Sequence, residues 1–511
     1  FEAVADGRVK AIWIAATNPA ASMPRANRVR EALKNCPLVI VSDAWPTDTT
    51  ALADIILPAA TWAEKDGTVT NSERRISRQR AFRAAPGEAR PDWWAFAEIG
   101  RRMGWRDAFA YTGPAAIFRE HAALSAFEND GRRVFDLGGL AALDDHAYDA
   151  LAPVQWPCRA DNPARDSARL FADGRFATPD GRARMVPVSS GDGIQRPHDT
   201  LTLNTGRLRD QWHTMTRTGR VARLMAHMDA PLLSLNPRDA ALRGIEEDGL
   251  VRIESRDGEA VLRAHLDPAL RVGESFLPMH WTDQFSSSGP AGRLVHALTD
   301  PVSGQPDLKG TSVRVQAITE GWRGLLLRRE DGAPRFADDV YATKAPIDGG
   351  FAFALSGWGA PENFVRSERE LRAQLTLPAD AEIISYSDPK KSVFRYAGIV
   401  AGRLTSCLFL AGPGADFAEA EQARGMLGKE LTAVSRLSLL VGLDADSRTR
   451  SNTVCACFAI DEAAIRDAIR TRGLTGTAEI GQVLRAGTNC GSCMPELKKL
   501  LAAASALAEV A

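Results

Sequence analysis

The sequence predicts a multidomain chain of mixed α/β and β class. The expected parts are an incomplete doubly wound α/β domain, a β-barrel-like domain, a small α/β domain and a short helical domain. Three observations lead there. The 511 residues suffice for three or four domains at ~150 residues each. Continuous apolar runs alternate with helix-spaced segments at the start, then give way to short alternating runs broken by turn residues. Four of the seven cysteines gather near the C-terminus, in "VCACF" and "AGTNCGSCMPEL".

Residues 1–110 carry the α/β pattern. "VKAIWIAATNPAASMP" reads as strand then loop, "ANRVREALKNC" has helical spacing, and "PLVIVSDAW" is a continuous apolar strand. "PDWWAFAEIGRRMGW" reads as an amphipathic helix. In parallel α/β sheets ligands bind beyond the carboxyl ends of the strands, here at Asn18, Ser42 and Asp43. The first residue is Phe1 and the opening reads as the interior of a fold, so a preceding N-terminal part is expected.

Residues 111–195, rich in Pro, Gly and Asp, read as a connecting region. Residues 196–320 read as a barrel or sandwich, with "RDGE" as one turn. Residues 322–344 read as a linker and 345–450 as a small α/β domain, in which "DPKK" is a turn followed by a hairpin. Residues 451–500 read as short helices around the cysteines. Asp461 can cap one that runs to Gly473, Thr477 a second that stops near Gly487, and "MPELKKLLAAASALAEV" makes a third.

A net charge of −1 argues against nucleic-acid and membrane partners. No apolar run nears the ~20 residues that cross a bilayer. The opening lacks the basic-then-apolar layout of a secretory signal, so a cytoplasmic protein is expected. Cys36, Cys158 and Cys407 stand singly and read as small buried residues; a disulfide framework is not expected in so long a chain.

Cys455, Cys457, Cys490 and Cys493 can hold a [2Fe-2S] cluster or a zinc ion, or form a redox dithiol pair. The C-x-C spacing of the first pair is tighter than zinc sites favour. The second pair precedes a helix whose N-terminus favours an anionic cluster, and Gly491 frees the backbone to bend around a sulfur. These residues resemble the [2Fe-2S] domain of bacterioferritin-associated ferredoxin, which implies one-electron transfer.

Upstream, "ADIILPAATWAEKDGTVTNSERRIS", "NTGRLRDQWHTMTRTGR", "FLPMHWTDQF" and "DPVSGQPDLKG" occur in that order. They resemble signatures of molybdopterin oxidoreductases of the dimethyl-sulfoxide-reductase superfamily, with an order and spacing similar to bacterial assimilatory nitrate reductase catalytic subunits. The resemblance implies a bis-molybdopterin guanine dinucleotide cofactor with molybdenum. A carboxylate accepts both N–H donors of a guanine edge, and Asp43 and Asp92 match the family's nucleotide-contacting aspartates. Asn18 and Ser42 match its loop contacts, and Lys65 a lysine beside the cofactor. In the expected molybdopterin-dinucleotide-binding, barrel-like domain, the "TGRLRDQWHT" loop is implied to wrap the pterin and its phosphate: Thr205 and Gly206 by close backbone approach, Arg207 and His213 as donors, Trp212 as an apolar wall, Thr214 alongside. His280 and Lys309 match further cofactor positions. Ala297, preceded by His296, departs from a family Asn. Taken singly, Asp43 and Asp92 could be strand-end or capping residues, Lys65 a surface lysine, His213 a satisfied half-buried histidine, and Arg217, Arg220 and Arg223 a solvated basic face.

The resemblance further implies a [4Fe-4S] cluster and a molybdenum ligand in the expected N-terminal part, so no catalytic residue is assigned and the sequence given is expected to lack the complete active site. The expected function is oxygen-atom transfer from nitrate, with electrons entering at the [2Fe-2S] domain from a flavoprotein reductase subunit or a ferredoxin. Another molybdopterin enzyme, such as a formate dehydrogenase, and an electron-transfer module without catalysis are the alternatives.

Overall fold

The computed structural model describes residues 1–161, 169–187, 197, 199–415, 417, 420–441 and 452–508. Parts of the expected connecting region (162–168, 188–196), the end of the expected 345–450 domain (442–450) and residues 509–511 lie outside the described residues.

Strands β1 (Ala11–Ala15), β2 (Leu38–Asp43) and β3 (Ile55–Pro58) form a parallel sheet in the order β1-β2-β3. β2 is central, and Val39 and Val41 are fully buried. The helix Ala26–Lys34 makes the β1–β2 crossover and packs Val29, Ala32 and Leu33 with them. Those positions share one helical face because they are three and four residues apart. Parallel pairing sends all three carboxyl ends the same way. A small antiparallel sheet follows, of β4 (Gly67–Thr70), β5 (Arg75–Gln79) and β6 (Val154–Gln155). Through β6 the region after residue 111 returns to the first domain, and Phe118 and Ala122 of helix Pro114–Ala126 pack with Ile76 of β5.

Six strands close a barrel: β7 (Leu201–Gly206), β8 (Leu232–Leu235), β9 (Leu250–Glu254), β10 (Glu259–Leu266), β11 (Glu274–Pro278) and β12 (Thr311–Ala317). The order is β10-β8-β11-β7-β12-β9, closed by β9–β10 pairing. Every second residue points inward, so Leu201 and Leu203 fill the core beside Leu233, Leu235, Val251 and Ile253. The next position in phase on β7 is Thr205, a polar residue. There the strand leaves the barrel and becomes the loop that borders the site described below.

A second large sheet, after the barrel, comprises β13 (Trp322–Arg328), β14 (Val340–Ile347), β15 (Gly350–Gly357), β16 (Glu382–Asp388), β17 (Val393–Val400) and β18 (Arg403–Ala411), in the order β14-β15-β13-β18-β17-β16. All its pairings are antiparallel. The stretch expected to be a linker, 322–344, instead contributes β13, paired on both sides. The reason is two-sided burial. Leu325 and Leu327 join one core and Leu326 the other, so the strand shows no alternation that would betray it.

The C-terminal unit is a hairpin of β19 (Thr453–Cys455) and β20 (Ile460–Asp461) with helices Glu462–Arg472, Thr477–Leu484 and Met494–Ala508. Ile465, Ile480 and Leu497 fill its core. The Asp461 carboxylate accepts from Ala464 N–H at 2.7 Å, capping the first helix, which ends at Gly473. The second helix is not capped by Thr477, which is already helical. Gly476 holds the extended cap position, and Glu479 reaches back to accept from Gly476 N–H at 3.1 Å and Thr475 N–H at 2.7 Å.

An ion cluster joins the first domain, the barrel and the second sheet. Asp283 accepts from Arg30, from Arg293 at 3.1 Å and from Arg335 at 2.7 Å, while Arg30 also holds Asp48 at 2.9 Å. Among the described residues no helix is long and apolar enough to cross a membrane.

Candidate functional site

A cavity of about 650 Å³ opens where the three parallel strands end against the loop that leaves β7. Thr17 and Asn18 follow β1, Asp43 ends β2 with Ala44 and Trp45 beyond it, and Ala59, Ala60 and Thr61 follow β3. Lys65 and Asp92 close one side; Trp212, His213, Thr214 and Arg217 of the barrel loop close the other. Seven residues singled out from the sequence thus meet here: Asn18, Asp43, Lys65, Asp92, Trp212, His213 and Thr214.

Their chemistry divides the cavity. Burial pushes the Asp43 carboxyl above the usual carboxylate range, against N–H donation from Trp45 and Ala44, and the Asp92 charge adds to the rise. Asp92 Oδ2 pairs with Lys65 Nζ at 3.2 Å. Its other oxygen, Oδ1, is buried and has no hydrogen-bond partner among the described residues. A buried acceptor without a donor costs ~1–3 kcal/mol, which a ligand N–H would recover. Asn18 ties the two domains together: its Oδ1 accepts from Thr49 N–H at 3.1 Å, and its Nδ2 donates to Thr214 Oγ1 at 3.3 Å. Trp212 stands nearly half exposed, with its ring edge-on to His213 and the Arg217 guanidinium 5.0 Å from its centroid. Burial, then the charges of Arg207 and Arg217, lower the His213 pKa. That leaves Arg217 and an aromatic wall on one side and the carboxylates, with Lys65 beside Asp92, on the other.

The other singled-out residues sit behind the cavity wall or beside it. Ser42 is buried and its Oγ accepts from Trp13 Nε1 at 2.8 Å. Thr205 Oγ1 donates to Leu308 O at 2.7 Å, and Lys309 Nζ donates to Thr205 O. A Cβ on Gly206 would stand 2.6 Å from the Phe276 ring, so the packing of that ring against the strand end favours glycine there. Arg207 is exposed at the loop's start. His280 is fully buried: Nε2 accepts from Leu208 N–H at 2.8 Å and Nδ1 donates to His213 O at 2.6 Å. With one nitrogen accepting and the other donating, the ring is the neutral Nδ1–H tautomer, and burial keeps its pKa low. His280 therefore pegs the 208–213 loop from behind. His296, beside the departing Ala297, pairs with Asp257.

Several cavity residues escaped the sequence reading. Trp45 lies outside the four motifs, and Met279, inside "FLPMHWTDQF", was not singled out from it. The three arginines taken as a possible solvated face have distinct places. Arg217 lies over Trp212, Arg220 lies 5.1 Å from the Trp45 ring centroid, and Arg223 reaches Cys457 O at 3.5 Å. Their spacing behind "DQWHT" was the available signal.

All seven cysteines are free thiols; Cys36, Cys158 and Cys407 lie in separate apolar cores. The other four form two pairs, each with one thiol from each motif. Cys457 and Cys490 lie 3.3 Å apart at the surface, and Cys455 meets Cys493 in the interior. Gly491 has φ +73°, which bends the chain between Cys490 and Cys493. Hydrogen bonds from Ser492, then Cys457, hold the Cys490 thiol down to about 7, and burial pushes Cys493 up to about 11. Two thiol pairs offer the donor set of a [2Fe-2S] cluster, two cysteines to each iron.

Comparison with known proteins assigns the segments that carry these residues to families. Residues 1–102 match the molybdopterin oxidoreductase family, 201–312 the molydopterin dinucleotide binding domain, and 453–503 the BFD-like [2Fe-2S] binding domain. The nitrate reductase of Klebsiella oxytoca is 40% identical over 98% of this chain and 56% of its own length. The assimilatory nitrate reductase catalytic subunit of Bacillus subtilis is 31% identical over 62% of this chain and 43% of its own. An F420-dependent formate dehydrogenase subunit alpha of Methanocaldococcus jannaschii is 31% identical over 61% and 43%. The chain spans about half the length of the curated relatives it matches.

Proposed function

We infer that this chain, which belongs to the molybdopterin oxidoreductases and ends in a BFD-like [2Fe-2S] domain, works in a nitrate reductase. The reaction takes up two electrons and two protons, converting nitrate to nitrite and water. When bound, the molybdenum cofactor supplies the oxygen-atom-transfer chemistry. This chain's residues bind and orient its nucleotide portion. Asp92, with its unpaired buried oxygen, and Asp43 accept guanine N–H donors. Lys65 and Arg217 offset phosphate charge and Trp212 walls the site, with Arg207, exposed at the loop's start, a further cation nearby in sequence. Thr205, Gly206, Lys309 and His280 act indirectly, by fixing where the loop leaves the barrel. The observation that carries this reading is the cavity itself, built from three strand ends and the dinucleotide-domain loop.

Electrons reach the site through the four-cysteine domain, donated by a flavoprotein subunit or a ferredoxin. The 40% identity to the nitrate reductase of K. oxytoca, which runs through the [2Fe-2S] domain, supports nitrate as the substrate. Assay of the full-length protein for molybdenum and acid-released guanine nucleotide tests the reading. Both in stoichiometric amount are expected; absence of both ends it.

A further inference from the structure

The C-terminal domain meets the barrel through one group of charged side chains. Arg209 lies two residues beyond Arg207, in the loop that leaves β7. Its guanidinium reaches three partners at once. Nε donates to Asp210 Oδ2 at 3.1 Å and Nη2 to Val454 O at 2.6 Å, while Nη1 faces Glu496 Oε2 at 2.8 Å as an ion pair without hydrogen-bond geometry. His227 closes the ring, with Nδ1 3.5 Å from Asp210 and Nε2 3.4 Å from Glu496. The Arg209 and Asp210 side chains are only 17% and 8% exposed, so water and salt screen them little.

The partners' positions matter. Val454 precedes Cys455, and Glu496 lies one helical turn after Cys493. Arg209 therefore grips the chain beside both members of the inner thiol pair. Cys455 and Cys493 are each 3% exposed, whereas Cys490 is open to solvent. Trp212, His213 and Thr214, three to five residues further along the same loop, line the cavity. One segment thus borders the nucleotide site and holds the cysteine domain.

We propose that Arg209 is a positioning residue that fastens the [2Fe-2S] domain with its Cys455/Cys493 end against the dinucleotide loop, making that end the internal electron exit and the Cys457/Cys490 end the face for an external one-electron donor. This rests on the reading that the four cysteines hold a cluster. One electron enters at the outer end, oxidising the donor by one electron, and leaves at the inner end with no bond made or broken. Arginine is required because a lysine ammonium has no planar fork to hold Asp210 and Val454 in fixed directions while it faces Glu496.

The test uses the full-length holoprotein with Arg209→Gln, Arg209→Lys and Glu496→Gln, read by iron and sulfide content, the cluster's reduction potential, and hydrogen exchange at residues 453–457. Arg209→Gln keeps its iron, shifts the potential downward through loss of a nearby cation, and loses exchange protection. Glu496→Gln shifts the potential upward while also losing protection. Arg209→Lys loses protection with the smallest shift in potential. Opposite shifts from the first two separate charge and position from general disruption, which moves both the same way and overturns the proposal. Iron-loaded Arg209→Gln with wild-type potential and exchange also overturns it. A wild-type protein without iron and sulfide instead removes the cluster reading and the proposal with it.

Discussion

Replacement of Asp92 by alanine separates ligand binding from folding, because the structure assigns different magnitudes to each. In the ligand-free protein the Asp92–Lys65 pair is 25% and 31% exposed, and such pairs contribute ~0–1 kcal/mol. Asp92 opens helix Asp92–Arg102, where a carboxylate adds ~0.3–1 kcal/mol. Against these stands the ~1–3 kcal/mol cost of leaving Oδ1 buried and unpaired. The terms oppose one another and their midpoints differ by about 1 kcal/mol, so Asp92→Ala leaves the ligand-free protein about as stable or slightly more stable. With guanine bound, each hydrogen bond to the charged carboxylate contributes ~1.5–3 kcal/mol, so two contribute ~3–6 kcal/mol. At 1.4 kcal/mol per tenfold, their loss weakens binding by roughly 10²- to 10⁴-fold. The assay is guanine nucleotide retained after extensive dialysis, with thermal unfolding of the same sample after nucleotide removal. Near-complete loss of nucleotide with an almost unchanged melting temperature is expected. Full retention by Asp92→Ala would refute the assignment and leave Asp92 as a helix-start residue.

Other expectations can be checked alongside. Cys493→Ser removes iron and acid-labile sulfide from the C-terminal domain, whereas Cys407→Ser, in a separate core, leaves both in place. Leu203→Ala, fully buried in the barrel, costs ~2–5 kcal/mol in chemical denaturation. Asp283→Ala removes the carboxylate paired with the largely buried Arg293, while Arg30 keeps Asp48 and Arg335 is open to solvent, and costs about 3 kcal/mol in the same measurement. His280 has a lowered folded-state pKa, so between that value and the ordinary one near 6.5 the unfolded chain binds more protons. Stability therefore falls as the pH drops below about 6.5 and through the folded pKa. His280→Gln flattens that part of the profile.

The sequence pattern located the cavity more reliably than it assigned individual roles. Polar residues at the ends of apolar strands marked Asn18 and Asp43, because parallel strands necessarily align their carboxyl ends. Motif resemblance marked Lys65, Asp92, Trp212, His213 and Thr214, all of which line the cavity. Ser42, Thr205, His280 and Lys309 lie in the same segments, but their side chains turn inward to bond Trp13, Leu308, the 208–213 loop and Thr205. A one-residue step along a strand reverses a side chain's direction, and resemblance does not report that. β13 was hidden because burial on both faces erases alternation. The Arg209 clamp joins residues more than 200 positions apart, and no local pattern records such a pairing.

The central claim is that electrons held on the C-terminal cluster are delivered to nitrate. The direct measurement follows the reduced-cluster EPR signal of the full-length molybdenum-loaded protein after rapid mixing with nitrate, and separately after oxidised protein is mixed with formate. The account predicts that nitrate abolishes the signal with formation of nitrite, and that formate generates none. A signal that persists in nitrate but is produced by formate would contradict it and assign the chain to the formate-oxidising branch of its family.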